Sequence, residues 1–331
     1  MTVPDVTILT VTHNTGRYLP ACVASVQAQA GVTWEHLVAD NGSTDNTTSF
    51  LESVRAADSR LRVVRFPENL GYGEAMRRSR AEVRGRFIAF LDADDLMRPD
   101  RLARQTRWLV SNPEFNSVFA DAEPIDAEGN SLGARVFAAG TEAALRKFSE
   151  FSMPACHSTG MVRAEDYHLV TAEAYLRQAP DFDIVCRLLD HGRVGFLPEI
   201  VGSYRRHSSQ VSRTRQVSQA CEGAGVGLLA ARRRAGLPED LAGLRTWIET
   251  LKESAASLGE VHAAFAARAG REGFARLELY HARRAVRRGC LRSLPRVATA
   301  LFAPRAHAGP WGERWTLALA GPLRLSGIKA R

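Results

Sequence analysis

The 331-residue chain lacks any pair of cysteines at CxxC spacing. Its five cysteines, Cys22, Cys156, Cys186, Cys221 and Cys290, are scattered and odd in number. That pattern suits neither a disulfide framework nor a zinc site, and predicts buried thiols in a reducing cytosol. No uninterrupted apolar run approaches the about 18 residues of a spanning helix. The start of the chain has no basic stretch followed by an apolar one, so no secretory leader is expected. A Gly-rich, Lys-bearing phosphate loop is missing after the first β-rich run, which counts against nucleotidyl transfer. There is no low-complexity tract, no fixed repeat period among the C-terminal helical patterns, and no nucleic-acid-binding motif or aromatic platform.

What is present is an ordinary globular composition, with 45% hydrophobic and 24% charged residues. That is enough for one sizeable domain plus a second unit. The net charge of +8 is unevenly placed. Residues 221–331 carry 19 Lys and Arg against 9 Asp and Glu, while residues 1–220 carry 25 against 27. A polyanion or an anionic membrane would therefore be met in the last third.

The first hundred residues alternate strand and helix patterns. Strands are predicted over Val6–Val11, Trp34–Val38, Leu61–Phe66 and Phe87–Leu91. Helices are predicted over Leu19–Gln29 and Asp45–Ala57, from Gly73 onward, and from Pro99 toward Asn112. This rhythm implies an α/β fold with a doubly wound, mostly parallel sheet and helices on both faces. Ligands of such sheets bind beyond the carboxyl ends of the strands. Shorter β-like pieces follow at Ser117–Ala122, Gly160–Arg163 and Val194–Phe196, with a helix over Asp181–His191. After Ser212 the pattern is helical, with amphipathic stretches at Leu244–Leu258 and Gly273–Arg288. A soft boundary falls near residue 215.

Each predicted strand end carries polar chemistry. Thr12-His13-Asn14 follows the first, Asp40-Asn41-Gly42-Ser43-Thr44-Asp45 the second, and Asn69-Leu70-Gly71-Tyr72-Gly73 the third. Asp92-Ala93-Asp94-Asp95 follows the fourth. Closely spaced carboxylates at the mouth of a sheet are hard oxygen ligands suited to Mg²⁺ or Mn²⁺, ions that leave positions for substrate phosphates. Such an ion could clamp a diphosphate as a leaving group. Aspartates also cap turns at strand ends, so the motif alone leaves both readings open.

The pieces TVTHN with YL, ADNGSTD, ENLGYGEA, FIAFLDADD, PDFDIVCRL and YRRHSSQVS, in that order over about residues 5–213, closely resemble the family 2 glycosyltransferases of GT-A fold. The resemblance implies a Rossmann-like nucleotide half (residues 1–116), an acceptor-side half (117–215) and a basic α-helical C-terminal extension (216–331). It implies that Asp40 accepts a hydrogen bond from the base, a carboxylate there favouring uracil or thymine. Thr12 lines the base pocket, and Asn14, Asn69, Gly71 and Arg77 join the nucleotide-sugar site. Asp92 and Asp94 match the DxD pair: Asp94 ligates metal, and Asp92 contacts ribose or the metal's water shell. Asp95 orients the loop or touches sugar hydroxyls. Asp181 matches the general base of inverting members, and His207 of the YRxH motif approaches the metal or diphosphate. Arg205 or Arg206 could add positive charge there.

Two departures stand out. Pro180 occupies the place where such enzymes usually have Glu, and Ala75-Met76-Arg77 replaces the common Ala-Arg-Asn. A one-residue shift on a helix turns a side chain by about 100°. In the last third, Arg283, Arg284, Arg287, Arg288 and Arg292 interleave with Leu279, Val286 and Leu291, ahead of Trp311, Trp315 and Leu317-Ala318-Leu319. This reads as a solvated helical face or as a membrane-surface element. The expectation is a cytoplasmic, Mn²⁺- or Mg²⁺-dependent inverting transferase of the cell envelope, peripheral to the inner face of the membrane in one version. It would take a UDP- or dTDP-sugar and a saccharide, lipid-linked or small-molecule acceptor, with a homo-oligomer admitted and nucleic acid not expected. The alternative is a non-catalytic sugar-nucleotide-binding scaffold in a polysaccharide assembly complex.

Overall fold

The structure, a computed structural model, describes residues 3–133, 141–142, 145, 149, 153–170 and 176–290. Eight strands form one sheet: β1 (Val6–Thr12), β2 (Trp34–Asn41), β3 (Leu61–Phe66), β4 (Phe87–Phe90), β5 (Leu96–Met97), β6 (Phe115–Ile125), β7 (Met161–Arg163) and β8 (Arg193–Arg205). Their order is β3-β2-β1-β4-β7-β6-β8-β5. The first four pair in parallel, as the alternating pattern predicts. Beyond β4 the sheet becomes mixed, because β7 runs antiparallel to both β4 and β6 while β8 pairs parallel to β6.

The apolar runs of β1 and β4 are buried on both faces, which is why they read as continuous rather than alternating. Val6, Ile8, Phe87 and Ala89 pack on one side with helices α1 (Leu19–Gln27) and α4 (Arg101–Ser111). Leu9, Val11, Ile88 and Phe90 pack on the other with α3 (Tyr72–Ser79) and α5 (Pro180–His191). Helix α2 (Thr47–Ala57) covers β2 through Leu51 and Val38. The carboxyl ends of β1, β2 and β4 thus open at one edge, flanked by the first turns of α3 and α5.

Strand β8 is far longer than the predicted Val194–Phe196. Its pairing with β6 is broken by register shifts at Ala120–Asp121 and Asp121–Ala122, and Gly195, Pro198 and Gly202 interrupt its apolar pattern. Two of these glycines answer close packing. A Cβ on Gly195 would lie 2.1 Å from the Trp108 ring, and one on Gly202 would lie 2.5 Å from the Leu96 carbonyl oxygen.

After a one-turn helix at Val211–Thr214, four longer helices follow: α6 (Gln216–Arg234), α7 (Leu241–Ser254), α8 (Leu258–Arg271) and α9 (Ala275–Arg287). The predicted Leu244–Leu258 helix ends at Ser254, and a new helix opens at Leu258. Ser257 caps the new one by accepting from the Glu260 amide (3.3 Å), while Glu260 reaches back to the Ala256 amide (2.7 Å), a reciprocal cap. Leu228, Leu229, Leu244, Phe265 and Leu277 form the core of this group. Helix α6 also packs Val226 and Ala230 on Phe182 and Cys186 of α5, joining the helices to the sheet unit. No helix among the described residues is long and apolar enough to cross a membrane. Arg292, Trp311, Trp315 and Leu317–Leu319 lie outside the described residues.

Candidate active site

A cavity of about 1020 Å³ opens at the carboxyl ends of the parallel strands and extends to the C-terminal helices. Thr12, Asn69, Gly71, Asp92, Asp94 and Asp181 line it, so six of the sequence-derived candidates meet in one space. Asn14, Asp40, Arg77, Asp95 and His207 are not part of that lining.

Each of these five has a local partner. Asn14 has φ 55° and accepts from the Thr44 amide (2.7 Å), tying the first strand-end loop to the second. Asp40 is buried, accepting from the Ser43 amide (3.1 Å) and the Thr48 hydroxyl (2.6 Å). Arg77 pairs locally: helical rotation sends Met76 into the core and leaves the Arg77 guanidinium paired with Glu74 at 2.7 Å. Asp95 accepts from the Arg205 amide (2.8 Å), with its other oxygen buried and unpartnered. Burial and the neighbouring Asp94 and Asp92 charges push its carboxyl well above the usual range. His207 stands behind the lining and meets it through Asp94, Nε2 to Oδ2 at 2.8 Å, with Nδ1 on the Ser209 hydroxyl (2.9 Å).

Arg205 is also spent internally. Its Nε donates to the Asp94 carbonyl (2.7 Å), and one terminal nitrogen donates to the carbonyls of Asp126 and Ala127, both at 3.1 Å. It shapes the acidic turn from below. On the other side Asn41 and Asn69 clasp each other (3.2 Å), and their side chains fix the Leu70 and Gly71 amides. Gly71, at φ 86°, lets Arg177 pass; a Cβ there would lie 3.1 Å from the Arg177 Nε.

Asp92 accepts from the Tyr72 hydroxyl (2.9 Å) and faces His157 Nδ1 at 3.6 Å. Burial pushes its carboxyl up, but His157, Tyr72 and Ser158 outweigh burial and hold it below the usual value. Asp181 sits in the first turn of α5. Burial raises its carboxyl above the usual value; the nearby Asp92 charge adds to this and His157 opposes it. Pro180 takes the first helical position, where a missing N–H costs nothing, which gives that departure a local structural account.

Sequence reasoning missed four residues. Tyr72 and His157 join Asp92 to the Asp181 side of the cavity. Arg177 brings a guanidinium to the lining and donates to the Asn69 carbonyl (3.2 Å). Arg101, wholly buried, donates to the carbonyls of Phe90 and Gly160 (both 3.0 Å) and of Ser158, stitching the end of β4 to the His157 turn. Only Tyr72 had a sequence signal, since it lies within the ENLGYGEA segment.

Among the described residues no three His, Cys, Asp or Glu side chains converge into a complete metal cage. Two carboxylates on one turn, with an imidazole on Asp94, are a sparse, hard set. That suits a divalent cation completed by water and phosphate oxygens, not a four-ligand structural zinc.

This sheet and its helical continuation define the class: a mixed α/β core of the GT-A glycosyltransferase type. Staphylococcus aureus TarS residues 1–349, solved with UDP-GlcNAc, superposes with a TM-score of 0.59 at 16% identity over 87% of this chain and 82% of that one. The Pyrobaculum calidifontis mannosyltransferase PcManGT, solved with GDP-Man and Mn²⁺, gives 0.56 at 18% identity over 90% and 87%. Residues 7–164 match the family model described as glycosyl transferase family 2. The succinoglycan biosynthesis protein ExoO of Rhizobium meliloti is 33% identical over 153 residues, 46% of this chain and 42% of that one. A Bacillus subtilis protein named for teichuronic acid biosynthesis, TuaG, is 31% identical over 129 residues, 37% of this chain and 51% of that one. The chain thus matches about half the length, or less, of these curated relatives.

Proposed function

We propose that this chain is a metal-dependent, inverting glycosyltransferase that moves a sugar from a UDP- or dTDP-sugar to an acceptor hydroxyl in cell-envelope polysaccharide or glycolipid assembly. The observation that carries the reading is that Asp181, with its raised carboxyl, opens into the same cavity as Asp92 and Asp94. A base near the acceptor and an acidic turn near the leaving group are the two ends that direct displacement needs. The biosynthetic setting is supported by the names of ExoO and TuaG, and the uridine donor by the UDP-GlcNAc complex of TarS.

Asp94 and Asp92, with His207 behind Asp94, would hold Mn²⁺ or Mg²⁺, as the Mn²⁺ complex of PcManGT supports. When bound, the ion supplies positive charge against the departing diphosphate. Asp181 takes the acceptor proton as the acceptor oxygen attacks C1, and the C1–oxygen bond to the diphosphate breaks on the opposite face. Tyr72 and His157 keep Asp92 ionised beside that reaction. Arg177 contacts the donor from the α3 side, in the role the sequence reading gave to Arg77. Asp40 bonds the base through the lone pairs left after Ser43 and Thr48. Residues 1–215 would form the catalytic unit, acting in the cytoplasm.

The test is Mn²⁺- or Mg²⁺-dependent release of nucleoside diphosphate from UDP-, dTDP- and GDP-sugars. Asp94→Asn should abolish metal-dependent donor binding. Asp181→Asn should keep donor binding and lose transfer by about 10²–10⁴-fold. Wild-type turnover in Asp181→Asn would remove the base assignment. Because the base works ionised, kcat/KM should fall on the acid side, with a midpoint above the ordinary carboxylate value.

A further inference from the structure

The cavity is built in two chemically distinct halves. All three of its lining carboxylates, Asp92, Asp94 and Asp181, belong to the sheet unit. The far half is lined by Arg215, Leu258, His262, Tyr280, Arg284 and Arg288. Tyr280, Arg284 and Arg288 recur every four residues along α9 and its end, so they form one stripe. None of these three arginines has a carboxylate partner among the described residues. Four other arginines of the same helices are paired: Arg232 and Arg268 with Glu272, Arg233 and Arg234 with Asp190.

The two histidines beside the stripe add no charge to it. His262 and His281 share a contact between their Nδ1 atoms at 2.8 Å. Burial, with the nearby Arg284 and Arg288 charges, lowers His262 to about 4. Burial, His262 and Arg284 lower His281 well below the usual imidazole value. The positive charge of this wall therefore comes from guanidinium groups, which stay charged at any working pH.

We propose that this helical wall is an acceptor subsite for an anionic saccharide, one carrying carboxylate or phosphate groups near the hydroxyl that receives the sugar. Arginine forks match both anions in planar, two-point geometry, and the Tyr280 ring supports Arg284, whose guanidinium lies 5.1 Å from the ring centroid. The subsite rests on the glycosyltransferase reading, since it presumes that Asp181 deprotonates what the wall holds. It gives the exposed Arg284 and Arg288 of the basic stripe a ligand on the cavity side.

The experiment is calorimetry on the full chain with UDP and Mn²⁺ present, titrating trigalacturonate, phosphorylated maltotriose and neutral maltotriose. An anionic trisaccharide should bind at least about tenfold tighter than the neutral one, and the preference should shrink with added salt. Arg284→Gln and Arg288→Gln should each erase most of it while the UDP affinity and melting temperature stay unchanged. Preference for trigalacturonate alone assigns a carboxylate, and preference for phosphorylated maltotriose alone assigns a phosphate. Equal binding of all three sugars, no binding of either anion, or variants that keep the preference would overturn the subsite. So would a fall in UDP affinity in the same variants, because the arginines would then belong to the diphosphate. Failure of the broader reading looks different: the wild-type chain would bind no sugar nucleotide at all.

Discussion

At the strand ends nearly every charged or amide side chain is tied to a backbone group or a buried partner. Asp95 rests on the Arg205 amide, Asn41 and Asn69 hold each other and the Gly71 turn, and Arg101 binds three carbonyls without touching solvent. Across the cavity, Arg215, Arg284 and Arg288 stand exposed with no carboxylate of the described residues against them. On the function proposed above, the difference separates two tasks. Fixing a metal and a diphosphate needs groups already oriented before substrate arrives. Holding a variable acceptor needs charge that can reposition, at the expense of side-chain entropy on binding.

If that contrast is right, disturbing the tied side should cost stability as well as activity, and the largest loss should come at Arg101. Arg101→Met leaves three buried carbonyls without their shared partner and should lower unfolding free energy by about 3–5 kcal/mol, read from a urea midpoint. A shift below about 1 kcal/mol would mean the stitching is dispensable. Glu222 comes next. From α6 its Oε2 accepts from the Gln178 and Ala179 amides (2.7 and 3.0 Å), and its Oε1 meets Lys252 at 2.9 Å. Glu222→Ala should lower kcat about tenfold through a displaced Asp181, with donor affinity preserved. Unchanged kcat would show that the α5 start is held without the helices.

Arg177→Gln sharpens the comparison at the donor itself. It should raise the donor dissociation constant by about 5–30-fold, worth 1–2 kcal/mol, without altering the urea midpoint. Identical titration curves would return the donor contact to other residues. Arg77→Gln should do least: its exposed pair with Glu74 is screened by water, so changes should stay within about 0.5 kcal/mol and donor binding should not move.

Much of the sheet unit was legible because its signals are local. Each parallel strand is a short apolar run, and each ends in polar residues whose types already suggest metal and phosphate chemistry. Asp92 and Asp94 could be chosen that way, whereas Asp181, in the first turn of α5, was singled out by the family resemblance. Arg77 could not be judged, since its role turned on which side of α3 it faced. Tyr72, His157 and Arg177 act through contacts between segments 20 to 108 positions apart, which no local pattern encodes. The length of β8 was hidden by Pro198 and Gly202, which read as breaks, although Gly202 answers the Leu96 carbonyl. In the helices, amphipathic periodicity showed that α7 and α9 exist, yet it could not say which arginines line the cavity.

The bond from Glu222 to the α5 start has a further consequence for anyone recombining these proteins. The helical segment cannot be exchanged as an independent cassette, because it carries the carboxylate that closes two open amides ahead of Asp181. A chimera grafting foreign helices onto residues 1–215 would need an acid at the Glu222 position, with a lysine placed like Lys252 behind it. Without them the graft would inherit a new acceptor wall and an unanchored base.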